Sequence, residues 1–195
     1  MPILGIYASS MQPALNASSY DSIATVTVGA GGSSSISFTS IPSTYKHLQI
    51  RGILRSNSAN NYDNVSLRFN SDSGSNYASH YLAGNGASAS AYAWTSAAQI
   101  ESFYTAGGGG ISNMFSATVI DILDYANTSK YKTTRHLNGF DNNGTGAFDF
   151  AKGAVLLSSG LWQNTSAIST VTLSVTVGGN FAQYSTFALY GIKGA

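Results

Sequence analysis

Apolar and polar residues alternate with period two in segment after segment of this chain, and clusters of Gly, Asn, Ser and Asp separate the segments. This is the pattern of short β-strands joined by turns. In residues 20–28, Ile23, Thr25 and Thr27 alternate with Ala24, Val26 and Val28, and the glycine-rich stretch 29–32 supplies the positive φ angles of a turn before a returning strand at 34–38. Residues 47–54 put Leu48, Ile50, Gly52 and Leu54 on one face against His47, Gln49 and Arg51. Residues 65–70 do the same with Val65, Leu67 and Phe69 against Ser66 and Arg68, so both strands read as half-buried. Aromatic-rich strands are expected at 77–82, 91–98 and 100–104, then β-branched ones at 114–123, 130–138, 148–157 and 167–177, with 186–192 closing the chain.

No window of a dozen residues carries an apolar stripe at i, i+3, i+4, so little helix is expected. The predicted fold is all-β: eight to ten strands in a two-sheet antiparallel sandwich, jelly-roll-like, over residues 20–195. Residues 1–19 stand apart. They begin apolar (Pro2, Ile3, Leu4, Ile6, Tyr7), turn rich in Ser, Asn and Ala, and read as an extended N-terminal arm that covers its apolar residues on its own domain or on a neighbouring subunit.

At 195 residues the chain is long enough for a packed core, and with no cysteine it uses neither disulfides nor thiolate metal sites nor a cysteine nucleophile. Only 9% of residues are charged, far below the usual quarter, so charge repulsion does little to keep copies apart. That balance suggests a part immobilised in an assembly. The net charge of +1 gives no electrostatic footprint for nucleic acid, and no apolar run reaches membrane-spanning length, so neither partner is expected. No signal peptide is expected at the N-terminus.

Four stretches resemble small structural proteins of tailed-phage virions, including those of phages of cyanobacteria and marine bacteria. They are Met-Pro-Ile-Leu-Gly-Ile at 1–6, residues 20–28 together with 41–51, residues 67–77, and the closing Phe-Ala-Leu-Tyr-Gly-Ile-Lys-Gly at 187–194. The resemblance implies a virion component made in the bacterial cytoplasm. Its favoured post is a capsid decoration or cement protein that binds the major capsid protein on the outside of the head and associates with itself, as a trimer. The alternative is a tail-fibre or baseplate adhesin for host-surface glycans.

Aromatic platforms with Asp and Asn partners are what a sugar site needs, and Asp72, Asn76, Tyr77, Trp94 and Trp162 are the candidate glycan contacts. The oxygen-rich loops 70–76 and 141–146 could wrap calcium, yet the second has Lys152 where an EF-hand loop has its bidentate Glu, and Asn/Asp/Gly clusters are also what tight turns require. No metal or cofactor is predicted. His47, His80 and His136 lie in different strands without metal-ligand spacing and are expected at the surface or in an interface. The pairs Asp121/Asp124 and Asp141/Asp149 are the conceivable hydrolytic carboxylates, but no nucleophile elbow, phosphate loop or zinc helix accompanies them, and the chain reads as a non-enzyme.

Overall fold

A computed structural model describes residues 19–144 and 150–194. Twelve strands run through the described residues: β1 (Tyr20–Thr27), β2 (Ser35–Phe38), β3 (His47–Leu54), β4 (Tyr62–Phe69), β5 (Tyr77–Gly84), β6 (Ala89–Ala97), β7 (Ile100–Ala106), β8 (Ser116–Leu123), β9 (Lys132–Asp141), β10 (Gly153–Trp162), β11 (Val171–Val175) and β12 (Thr186–Ile192). A single 3-10 turn, Phe150–Lys152, is the helical element among them.

The strands form two antiparallel sheets, one of eight in the order β1-β12-β3-β8-β9-β10-β5-β6 and one of four in the order β2-β11-β4-β7. The orders are nested. β1 lies beside β12, β2 beside β11, β3 beside β8 and β4 beside β7, which is the arrangement of a long hairpin rolled into a jelly roll. Two further hairpins, β5–β6 after β4 and β9–β10 after β8, pair with each other through β10 and β5. They extend one sheet by four strands, which is why the strand number exceeds the eight to ten expected from a simple sandwich.

The core lies where the two sheets face each other. In β3, Leu48, Ile50 and Leu54 point inward, and register places Ile50 between Leu189 of β12 and Ile120 of β8. From the opposing sheet come Val65, Leu67 and Phe69 of β4 with Val171 and Leu173 of β11, all buried. This interleaving of alternate residues from two inner faces is the ordinary core of a sandwich. The glycine run 107–110 closes against the loop before β4: Gly109 donates to the Asn60 carbonyl, and a Cβ at Gly107 or Gly109 would collide with that loop's backbone. Only glycine permits so close an approach.

Beyond the four-stranded sheet, its edge strand β7 packs against β9, β10 and β5. A second apolar cluster, with Phe140 and Leu156 at its centre, sits there. Between it and the main core the inner side of β8 and β9 is polar: Thr118, Thr134, His136 and Asn138 are all buried.

Candidate interaction surfaces

The alternation that buries one face of each strand leaves the other outside, and the two sheets differ in what they leave there. Outside the four-stranded sheet stand Ser35 and Ser37 of β2, Thr172 and Ser174 of β11, and Arg68 of β4. Hydroxyls dominate this face, and Arg68 is held by Gln99 Oε1 at 3.0 Å. The outside of the eight-stranded sheet is different. Register aligns Val119, Leu137, Leu157, Leu82 and Ala91 in one row across β8, β9, β10, β5 and β6. The adjacent row carries Ile53, Ala117, Gly139, Val155 and Gly84.

Ile53, Leu82, Leu137, Val155 and Leu157 are each between 51% and 62% exposed, where a solvent-facing strand position usually carries a polar side chain. Gly, Ala and Ser positions between the large side chains leave two shallow grooves of about 750 and 470 Å³. A third row, Gln49, Asp121, Arg135, Ser159 and His80, closes the patch on one side with polar groups. Gln49 Nε2 donates to Asp121 Oδ1 at 2.7 Å and Arg135 Nη2 reaches Asp121 Oδ2 at 2.7 Å, while Arg51, which stands in the row of Val119, donates from Nε to Gln49 Oε1 at 2.7 Å. The Arg51 guanidinium also lies over the rings of Tyr20 and Tyr190, at 5.2 and 5.1 Å.

Strand β9 shows how polar residues came to lie beneath this face. Its outward residues are Thr133, Arg135, Leu137, Gly139 and Asp141, while its inward ones are Lys132, Thr134, His136, Asn138 and Phe140. His136 is therefore not at a surface or interface, as its polar type suggests. It is fully buried, with Nε2 and Thr134 Oγ1 2.9 Å apart and its ring edge-on to Phe103, and burial pulls its pKa down to about 3. Lys132 is buried too, and its ammonium donates to the carbonyls of Asn127 at 2.6 Å, Lys130 at 2.8 Å and Thr165 at 3.0 Å. It ties the β8–β9 connection to the loop after β10, a role that a lone lysine in a polar stretch does not signal in sequence.

Four of the five candidate glycan residues are brought together, but the two rings are turned into the core, with Asp72 and Asn76 half-buried above them. Trp162 Nε1 donates to Asp72 Oδ2 at 2.7 Å, Asn76 Nδ2 donates to the same oxygen at 2.9 Å, and the Gly74 amide donates to Oδ1 at 2.8 Å. These hydrogen bonds, Asn76 first, hold the Asp72 carboxyl below its ordinary range. The rings of Tyr77 and Trp162 stack at 6.2 Å and are fully buried, so neither offers a sugar platform; burial pushes the Tyr77 phenol up to about 12. Aromatic rings on strands carry too much apolar area to be left outside when the core can take them.

Trp94 stands elsewhere. On β6 it packs at 4.8 Å from Tyr92 and 5.5 Å from Tyr81, where the eight-stranded sheet overhangs the edge of the smaller one. Tyr104 and Phe150 continue this shelf inward. Tyr81, Tyr92 and Tyr104, which the sequence also offers as rings able to stack on sugars, thus form with Trp94 a half-open aromatic surface.

The loop 70–76 is folded around Asp72 as an acceptor of N–H donors, which leaves its carboxylate engaged by neutral groups. The loop 141–146 and Asp149 fall partly or wholly outside the described residues, as do arm residues Pro2, Ile3, Leu4, Ile6 and Tyr7. Among the described residues no group of three His, Asp or Glu side chains is placed to hold a metal ion. Asp121 is bound by Gln49 and Arg135, and Asp124 lies between Lys46 at 3.0 Å and Lys130 at 2.9 Å, the two lysines drawing its pKa down to about 2. Comparison of the chain with protein-family models, with curated proteins and with solved structures gives no match.

Proposed function

We propose that this protein is a non-enzymatic structural component of a bacteriophage particle, and that it serves as a decoration or cement protein on the outer surface of the head. One observation carries the structural part of the reading: the outer face of the eight-stranded sheet presents two adjacent apolar rows, bounded on one side by a polar row in which Gln49, Asp121 and Arg135 engage one another. Monomers that live free in solution seldom expose such a patch, and one of several hundred Å² marks a surface used for association. The low charge of the chain, its apolar N-terminal residues and its resemblance to small tailed-phage structural proteins support the same reading. Its partners would be the major capsid protein and further copies of itself.

Antibody labelling of intact particles viewed by electron microscopy tests this. Label spread over the head is the expected result, and unlabelled particles would refute a virion role.

A second reading, a tail-associated adhesin for host glycans, draws support from the shelf of Tyr81, Tyr92 and Trp94. Partly exposed rings at such an overhang are suited to stacking on sugar faces. Label confined to the tail tip, with a positive glycan array that Tyr92→Ala abolishes, would favour this reading over decoration.

A further inference from the structure

We propose that the apolar outer face of the eight-stranded sheet is the surface on which a second copy of this chain docks, sheet against sheet about a two-fold axis. The inference rests on the assembly role above and assigns it a surface and a partner. The two apolar rows each cross five strands at ~4.8 Å spacing and lie ~6.8 Å apart, a band of roughly 330 Å² flanked by the polar row of Gln49, Asp121, Arg135, Ser159 and His80. A stable interface takes about 800 Å² from each partner and joins an apolar centre to a polar rim, so the band supplies the centre of a dimer contact and the adjoining rows its rim.

The chemistry is self-complementary. A two-fold axis near Leu137 and Leu157 lays the row Val119, Leu137, Leu157, Leu82 on its own copy, as the inner faces of a sandwich meet. Large side chains next to Ala117, Gly139, Gly84 and Ala91 give ridges and depressions that two copies can interdigitate. The charged groups beside the apolar rows, Arg51, Asp121 and Arg135, are already held by Gln49, by one another or by the Tyr20 and Tyr190 rings, while Asp141 and His80 stand exposed at the margins of the band. Docking centred on the apolar rows therefore keeps charge at the wet rim and out of the dry centre, where burying it unpaired would be costly. The hydroxyl-rich outside of the four-stranded sheet has no comparable surface. A two-fold face yields an even-numbered oligomer in place of the trimer expected from sequence.

Light scattering on the full chain at micromolar concentration tests the proposal. The expected mass is that of two chains, or an even multiple. Leu137→Glu/Leu157→Glu halves that mass with an unchanged circular dichroism spectrum, because both side chains already face out of the fold, whereas Ser37→Glu/Thr172→Glu on the other sheet leaves it unchanged. Since the chain has no cysteine, single Leu137→Cys and Leu157→Cys variants should each form a disulfide-linked pair of chains under mild oxidant.

A one-chain or three-chain mass for the native protein would overturn the proposal, as would a Glu variant that keeps its mass. A Leu4→Cys/Leu157→Cys variant that closes a disulfide within one chain would assign the face to the N-terminal segment instead and overturn it too. If the Glu pair keeps its mass but no longer joins particles, the face belongs to the capsid. Because mass is read without particles and labelling without mass, the failure of this proposal and that of the virion reading are separate results.

Discussion

Leu137 and Leu157 stand directly opposite each other across the β9–β10 pair on the outside of the sheet, while their chain neighbours His136 and Ser158 oppose each other beneath it. The usual assignment of leucine to the inside and histidine to the outside is reversed at this one register position. Burying a histidine and a serine in place of two leucines, which stay 55% and 51% exposed, forgoes hydrophobic stabilisation of about 0.8–1.5 kcal/mol for each leucine. Such a reversal is understandable where the outer face is itself to be covered.

The buried histidine makes stability depend on pH in a defined direction. His136 titrates near 6.5 when unfolded and near 3 when folded, so between those values the unfolded chain holds a proton that the folded chain does not. Stability is then full above about pH 6.5 and falls as the pH drops toward 3, by up to about 1.4 kcal/mol per pH unit for one proton. Urea unfolding at pH 7.5, 6 and 5 should show this decline, and His136→Gln should flatten it.

Lys132 should be a structural residue despite its charge. Replacing it with Met keeps the length of the stem but leaves three carbonyls without a donor, and the expected loss is about 2–4 kcal/mol. Thermal unfolding of Lys132→Met against native protein measures it. Lys130→Met, on an exposed side chain paired with Asp124, is expected to change stability far less.

Asp72 and Trp162 should act on folding and not on sugar binding. Asp72→Ala removes the acceptor of a buried indole N–H and unties the 70–76 loop, at a cost of about 1–3 kcal/mol. The near-ultraviolet circular dichroism band of tryptophan should change with it. If glycan binding is observed at all, this variant should retain it while Tyr92→Ala does not.

Residues 1–19 carry no charged side chain and lack the apolar–polar alternation of the strand segments in their sequence. Deleting them is expected to leave a folded β-domain with native circular dichroism that is no longer incorporated into particles. Unchanged incorporation would remove the assembly role of this segment.

Much of the fold was legible in the sequence because period two is a local property. Strands β3 and β12 fall on the expected residues 47–54 and 186–192, and Leu48, Ile50 and Leu54 lie inside as their alternation predicts. The candidate glycan site was legible as a set of residues but not as a site. Asp72, Asn76, Tyr77 and Trp162 do meet, through a contact between residues 90 apart in sequence, and they meet with their rings turned inward.

By itself, then, the sequence determined that the chain is built of short strands, that it has little helix and no disulfide, and which residues of each strand share a face. Tertiary structure alone decided which of the two faces is inside. In β9 and β10 both faces mix apolar with polar residues, so alternation cannot rank them, and the choice follows from what β7 lays across them and from the pairing of β10 with β5. The same pairing joins hairpins distant in sequence into one wide sheet, aligning Leu82, Leu137 and Leu157 in a row that no stretch of the chain displays. An apolar surface assembled across strands is a property of register between segments, and register is fixed by long-range pairing rather than by local pattern.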